Sequence, residues 1–182
     1  MKSIKFIEVA PIEFELHLHG LSELLIACVD QGASIGFLPP LSQTDANEYW
    51  TSLESSLVNR TRRLMIVLIE EEIIGSIQLN LCQKENGLHR ADLEKLIVLP
   101  SHRGAGVGKM LLKEAESLAL SLGRHMLILD TRKGDVASNM YEKYGYIKVG
   151  EIPDFVVETN GQWSATVYYY KSLKEELLKE AC

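Results

Sequence analysis

The run Arg103-Gly104-Ala105-Gly106-Val107-Gly108 joins an apolar stretch ending at Leu99 to an amphipathic segment, and its residue types suit anion binding. Where a loop opens a helix, backbone N–H groups lack intrahelical acceptors and the helix dipole adds partial positive charge. Main chain alone can therefore hold a phosphate. Glycines at 104, 106 and 108 let that main chain approach a pyrophosphate closely, Arg103 offers a charge-assisted contact, and the amides of Ala105, Val107 and Lys109 fall in the same run. The plain alternative is a tight strand-to-helix turn. Spacing excludes a P-loop, which needs four residues between its first and last glycine and Ser or Thr after the lysine. Here Gly104 and Gly108 enclose three, and Met110 follows Lys109. A dinucleotide turn reads G-x-G-x-x-G, and this one reads G-x-G-x-G; Asp130, closing the next expected strand, keeps a dinucleotide-dependent oxidoreductase as an alternative.

The same run resembles the R-x-x-G-x-G/A signature with which the Gcn5-related N-acetyltransferase (GNAT) family binds the pyrophosphate of acetyl-CoA. The segment Ser138-Asn139-Met140-Tyr141-Glu142-Lys143-Tyr144-Gly145-Tyr146 resembles the family's Y-E-K-x-G-F segment, with Tyr141 at the usual tyrosine. The segments QGASIGF, QLNLCQKENGLHRADLEKLIVLPSHRGAGVGKML, LILDT, VGEIPDF and ATVYYYKSL are similar to the tabtoxin-resistance branch of that family over almost the whole chain. The resemblance implies a GNAT fold, acetyl-CoA as cosubstrate, and a small primary amine, amino-acid-like or a toxin, as acceptor. It also implies that the backbone of Leu96, Ile97 and Val98 pairs with the pantetheine amides like an added strand and supplies an oxyanion N–H. Asn139 is a candidate cofactor contact. The family's well-known Asn lies seven residues before the tyrosine, where this chain has Gly134.

Acetyl transfer sets two proton problems. The leaving thiolate needs an acid, and the Tyr141 phenol, with a reference pKa near 10, stays neutral until it is used; the alternative is a core aromatic. An amine of pKa about 10.4 is neutral in about one molecule in 2,500 at pH 7, a handicap of about 4.6 kcal/mol, so a base is required. Asp92 and Glu94, two residues apart on one strand face, are both candidates, and solvated surface charge is the other reading of the pair. Asp130 either orients the amine or the tyrosine, or caps the turn toward Gly134. A CoA-binding module without turnover remains the alternative from another class.

The elements that must hold these residues follow from periodicity. The pattern predicts a strand over 4–9, a helix over 13–30 stopped by Gly32, an apolar loop over 32–40 that folds over something, and a helix over 44–59 with Ala46, Tyr49, Trp50, Leu53 and Leu57 on one face. Strands over 63–70, 73–83 and 88–99 form an antiparallel meander. In the second, Ile73, Gly75, Ile77, Leu79 and Leu81 share the core face and Ser76, Gln78 and Asn80 the other, where a polar substrate could be met. In the third, Ala91, Leu93, Ile97 and Leu99 alternate with Arg90, Asp92 and Glu94. A helix from Val107 to about Leu122, stopped by Gly123, crosses to a parallel strand over 125–131. A short helix over 135–144, strands over 146–151 and 165–171, and a terminal helix capped by Ser172 and Glu175 complete an α/β chain: one mixed, mostly antiparallel sheet, one parallel β-α-β unit, helices on both faces.

The chain has 182 residues, suited to a single domain over 1–182, and its formal charge of −6 disfavours a nucleic-acid partner, which needs a basic face. Cys28, Cys82 and Cys182 form no C-x-x-C pair, and His17, His19, His89, His102 and His125 show no ligand spacing, so neither a disulfide framework nor a metal site is expected. No apolar run reaches the roughly twenty residues of a membrane helix, and the N-terminal segment does not read as a signal peptide. A cytoplasmic protein is expected, with a homodimer possible through the last strand and terminal helix.

Overall fold

A computed structural model of the chain describes residues 4–174. Seven strands, β1 (Ile4–Glu8), β2 (Arg62–Ile69), β3 (Glu72–Leu81), β4 (Arg90–Val98), β5 (Met126–Arg132), β6 (Ile147–Val157) and β7 (Trp163–Ser172), lie in the order β1-β2-β3-β4-β5-β7-β6. The helices are α1 (Phe14–Asp30), α2 (Gln43–Thr51), α3 (Glu54–Val58), α4 (Val107–Ser121) and α5 (Val136–Lys143). The strands β4 and β5 run parallel, Arg90–Asp92 beside Met126–Ile128, as a crossover through α4 requires. The terminal helix expected beyond Ser172, which closes β7, lies outside the described residues. The described residues pack as two compact units, 4–81 with 93–115, and 82–92 with 116–174.

In the first unit the sheet carries helices on both faces. Leu64, Ile66, Leu68 and Ile73 join Leu21, Leu24, Leu25, Cys28 and Trp50 in one core under α1 and α2, and Ile35 and Phe37 of the 32–40 loop pack against it, as their apolar character demands. On the opposite face α4 approaches so closely that a Cβ on Gly75 would stand 3.0 Å from Leu111 Cδ1 and 3.1 Å from the Ile97 carbonyl oxygen. Glycine is what lets the helix that follows the anion loop seat on β3.

Three expectations need correction here. The helix over 44–59 is two helices, broken at Ser52 and Leu53: the Ser52 hydroxyl bonds the Tyr49 carbonyl at 2.6 Å and the Ser56 hydroxyl bonds the Leu53 carbonyl at 2.7 Å, local bonds that compete with the helical ladder. The faces of β3 change at a bulge, where the register shifts between Val67 and Leu68; Ile73 turns to the α1 core while Gly75 faces α4. In β4, Lys95 has φ of +49°, and Ile97 beyond it belongs to the α1 and α2 core, the side of Glu94 rather than of Leu93. One residue at positive φ inverts the alternation that a simple period of two predicts.

In the second unit β7 lies between β5 and β6, paired antiparallel with both. The β6 strand runs to Val157, six residues past its expected end, because Ile152–Val156 forms a second irregularity that lets pairing resume at Val156 with Ser164. Tyr141 of α5 packs against Tyr146 and Tyr169 at ring-centroid distances of 5.7 and 6.1 Å. The buried Glu116 of α4 takes Lys171 of β7 at 2.7 Å.

Candidate active site

In the first unit the 103–109 loop leaves β4 through a turn at Pro100–His102 and opens α4, whose ladder begins with Met110 N–H donating to the Gly106 carbonyl at 3.1 Å. Gly104 and Gly106 have φ of +78° and +84°, and nothing lies within 4 Å of where either Cβ would stand. A main-chain cradle needs both features: a backbone conformation that other residues resist, and open space beside it. Ala105 is exposed with them, Val107 is buried under the helix, Gly108 is half-buried and Lys109 exposed. Arg103 is exposed and folds back, its Nε donating to the Val98 carbonyl at 3.1 Å. That carbonyl also accepts the Cys28 thiol at 3.4 Å, so the Val98 oxygen expected to meet pantetheine already has partners within the chain.

Glu94 is not a loose carboxylate. Arg62 Nη1 donates to its Oε2 at 2.6 Å and Asn80 Nδ2 to its Oε1 at 3.0 Å. Arg62 Nη1 also reaches Gln78 Oε1 at 2.6 Å, and Gln78 Nε2 donates to the Tyr49 hydroxyl at 3.0 Å. The β3 face expected to greet a polar substrate is thus largely filled from within: Ser76 and Gln78 are fully buried, and their polar atoms are spent on this network and on the Lys95 carbonyl. Burial pushes the Tyr49 phenol up to about 12, with the Glu94 charge adding to the effect against Gln78 and Arg62. Lys95 Nζ sits 5.2 Å from the Tyr49 ring centroid and 5.8 Å from that of Phe37, tying the 32–40 loop to β4.

In the second unit the Asp130 charge acts on both Tyr141 and Tyr168, and that of Asp92 on Tyr168. Asp92 stands beside Ile128 in the parallel ladder, two residues before Asp130 on the same face. Asp130 pairs across with Tyr168, and its Oδ2 accepts the Thr166 hydroxyl at 2.8 Å. The turn into α5 is capped by Asp135 instead, which accepts from Ala137 N–H at 3.2 Å. Tyr141 is 7% exposed, and burial, with the Asp135 and Asp130 charges adding to it, holds its phenol well above the ordinary tyrosine value. It keeps its proton at any physiological pH. Asn139 lies half-buried two residues before it on α5, and Gly134 occupies the turn ahead of the helix. Tyr168 and Phe155, which meet edge to face at 6.4 Å, were not singled out from the sequence. The alternation of Thr166, Tyr168 and Tyr170 opposite Arg132, Asp130 and Ile128 is the signal that would have found Tyr168.

Among the described residues, no group of three or more His, Cys, Asp and Glu side chains is placed to hold a metal ion, and no helix is long and apolar enough to cross a membrane.

A phosphate-type loop opening a helix, a strand ahead of it and a single parallel crossover behind it define a class, and comparison with known proteins finds the same one. The acetyltransferase (GNAT) family model matches residues 22–146, and the chain belongs to that family. Over 105 residues it is 35% identical to a streptothricin acetyltransferase from Escherichia coli; that match takes in 56% of this chain and spans 58% of the relative's length. Among solved structures, a protein of Acinetobacter baylyi ADP1 whose acetyltransferase assignment is provisional superposes with a TM-score of 0.80 at 18% identity, covering 96% of this chain and 94% of that one. The similarly provisional YncA of Salmonella typhimurium, solved with its cofactor acetyl-CoA, does so at 0.75 and 14%, covering 93% and 94%. At these identities the two structures speak to the fold.

Proposed function

We propose that this chain transfers the acetyl group of acetyl-CoA to a primary amine of a small molecule by direct attack. The observation that carries the reading is the 103–109 loop: Gly104 and Gly106 in the left-handed region with open space at both Cβ positions, at the head of α4, in a chain of the GNAT family. The amides of 104–109 bind the pyrophosphate, Arg103 screens its charge once released from Val98, and the backbone of Leu96–Val98 lies along the pantetheine arm. Asn139 hydrogen-bonds the cofactor from α5.

The amine nitrogen attacks the thioester carbonyl, the C–N bond forms and the C–S bond breaks. Asp92 takes the ammonium proton before or during attack. Glu94 is the weaker choice, because protonating it sacrifices the Arg62 ion pair on one oxygen and the Asn80 bond on the other. Tyr141 gives its phenolic proton to the departing thiolate, the second proton of the attacking nitrogen restores the phenol, and burial keeps that phenol protonated beforehand. Asp130 orients the amine. A relative named for streptothricin supports a small, amine-bearing acceptor.

Acetyl-CoA turnover with a panel of primary amines tests the reading. Amine-dependent thiol release that collapses in Gly106→Val is the expected result. Acetyl-CoA binding unaffected by Gly106→Val would remove the loop from the cofactor site.

A further inference from the structure

The acid assigned to the leaving thiolate rides on a short helix. With eight residues, α5 is too brief to hold its place through its own hydrogen bonds, so the sheet beneath it must decide where Tyr141 points. Asp135 caps the first turn, accepting from Ala137 N–H at 3.2 Å, which fixes where the helix starts and not its roll about its own axis.

One side chain of β7 meets α5 at two successive residues. The Tyr169 ring packs on the Tyr141 ring at a centroid distance of 6.1 Å, and the Tyr169 hydroxyl donates to Glu142 Oε1 at 3.0 Å. Dispersion between rings has little directionality, so the ring contact alone leaves the helix free to shift and turn. A hydrogen bond from the same side chain to the adjoining residue removes both freedoms. Tyr169 is itself a fixed point: it is 2% exposed, and its strand is paired on both sides, with Leu129 opposite it on β5 and Lys148 opposite it on β6. Glu142 is exposed, so the bond adds little to stability and its worth lies in geometry. Geometry is what an acid needs, because a proton passes only to an atom within hydrogen-bond reach, and a misplacement of about 1 Å can cost about a hundredfold in rate.

Resting on the acetyltransferase reading and on Tyr141 as its acid, we propose that Tyr169 and Glu142 are positioning residues for the reaction: the bond between them sets the roll of α5 and so aims the Tyr141 phenol at the departing sulfur. Neither side chain touches the reacting atoms.

Tyr169→Phe keeps the ring and deletes the hydroxyl, and the exposed Glu142 carboxylate can turn to water, so the variant should melt close to the parent. Its kcat for amine-dependent thiol release should fall about three- to tenfold. Glu142→Leu, which removes the acceptor, should fall by the same factor, and Glu142→Gln, which keeps an acceptor oxygen, should recover most of the rate. In a Tyr141→Phe background, Tyr169→Phe should cost nothing further, because a residue that acts through another has no effect once the other is gone. Acetyl-seleno-CoA gives a readout that lost packing does not move: a selenolate departs without an acid, so the Tyr169→Phe deficit should vanish with this donor. Unchanged kcat in Tyr169→Phe with acetyl-CoA, a further loss on top of Tyr141→Phe, or an equal deficit with the selenoester overturns the positioning role while acetyl transfer stands. Full turnover by Tyr141→Phe overturns the acid assignment and the positioning role with it, and a parent chain that binds acetyl-CoA yet releases no thiol to any amine overturns the acetyltransferase reading itself.

Discussion

At the scale of single residues, the chemistry turns on which groups hold protons. Tyr141→Phe removes only a hydroxyl from a site packed by Tyr146 and Tyr169, so folding should be nearly unchanged while kcat falls by about 10²–10⁴, the usual worth of a positioned acid, in acetyl-CoA turnover assays. Tyr49 gives a different, structural readout. Its phenol is raised to about 12 by burial, so the fold favours the protonated form. That contribution is complete below the unfolded value near 10 and is lost as pH rises from 10 through 12. Thermal melts across that range should fall less steeply in Tyr49→Phe than in the parent chain, and identical slopes would contradict the assignment. Glu94 to Gln, by contrast, leaves Arg62 with a neutral partner and should cost stability more than turnover, which separates it from Asp92, whose Asn variant should lose turnover with little change in melting temperature.

Elements place these residues, and their contacts set how much disturbance they tolerate. A valine at Gly75 would drive into Leu111 and the Ile97 carbonyl, so Gly75→Val should cost about 1–3 kcal/mol as overpacking and lower the melting temperature by several degrees. Its acetyl-CoA KM should rise as well, because α4 carries the loop with it. In the second unit Glu151 bridges Lys133 at 2.8 Å and Lys148 at 2.6 Å, and these partners lower its carboxyl from the ordinary range to about 2. The fold thus favours the ionised form: the contribution is present above about 4.5 and is lost as pH falls toward 2. Acid melts of Glu151→Gln should be flatter between pH 5 and 2, modestly so for an exposed network. Much of this scale is legible in the sequence. Apolar periodicity and Gly32 or Gly123 bound α1 and α4, and the turns at Glu70–Glu72 and Glu85–Gly87 divide the meander. What escapes it is local and geometric: the bulge beside Ile73, the positive φ of Lys95, and the Ser52 bond that ends α2 each change a face or a boundary without changing composition.

For the whole molecule, the glycine run, the parallel crossover and the family match support the proposal of acetyl transfer, and the sequence held the first two as pattern. It also held Tyr141 and the carboxylates as candidates. Only the structure separates them, because Glu94's engagement with Arg62 and Asn80, and the meeting of Phe155 with Tyr168, depend on strands far apart in the chain. The most direct measurement is acetyl-CoA thiol release with a primary-amine panel, followed together with mass-spectrometric detection of the acetylated amine. Thiol release that requires the amine, matched one to one by acetylated product and lost in Tyr141→Phe, is the predicted result. Tight acetyl-CoA binding with no amine-dependent thiol release would contradict it and leave a binding module in its place.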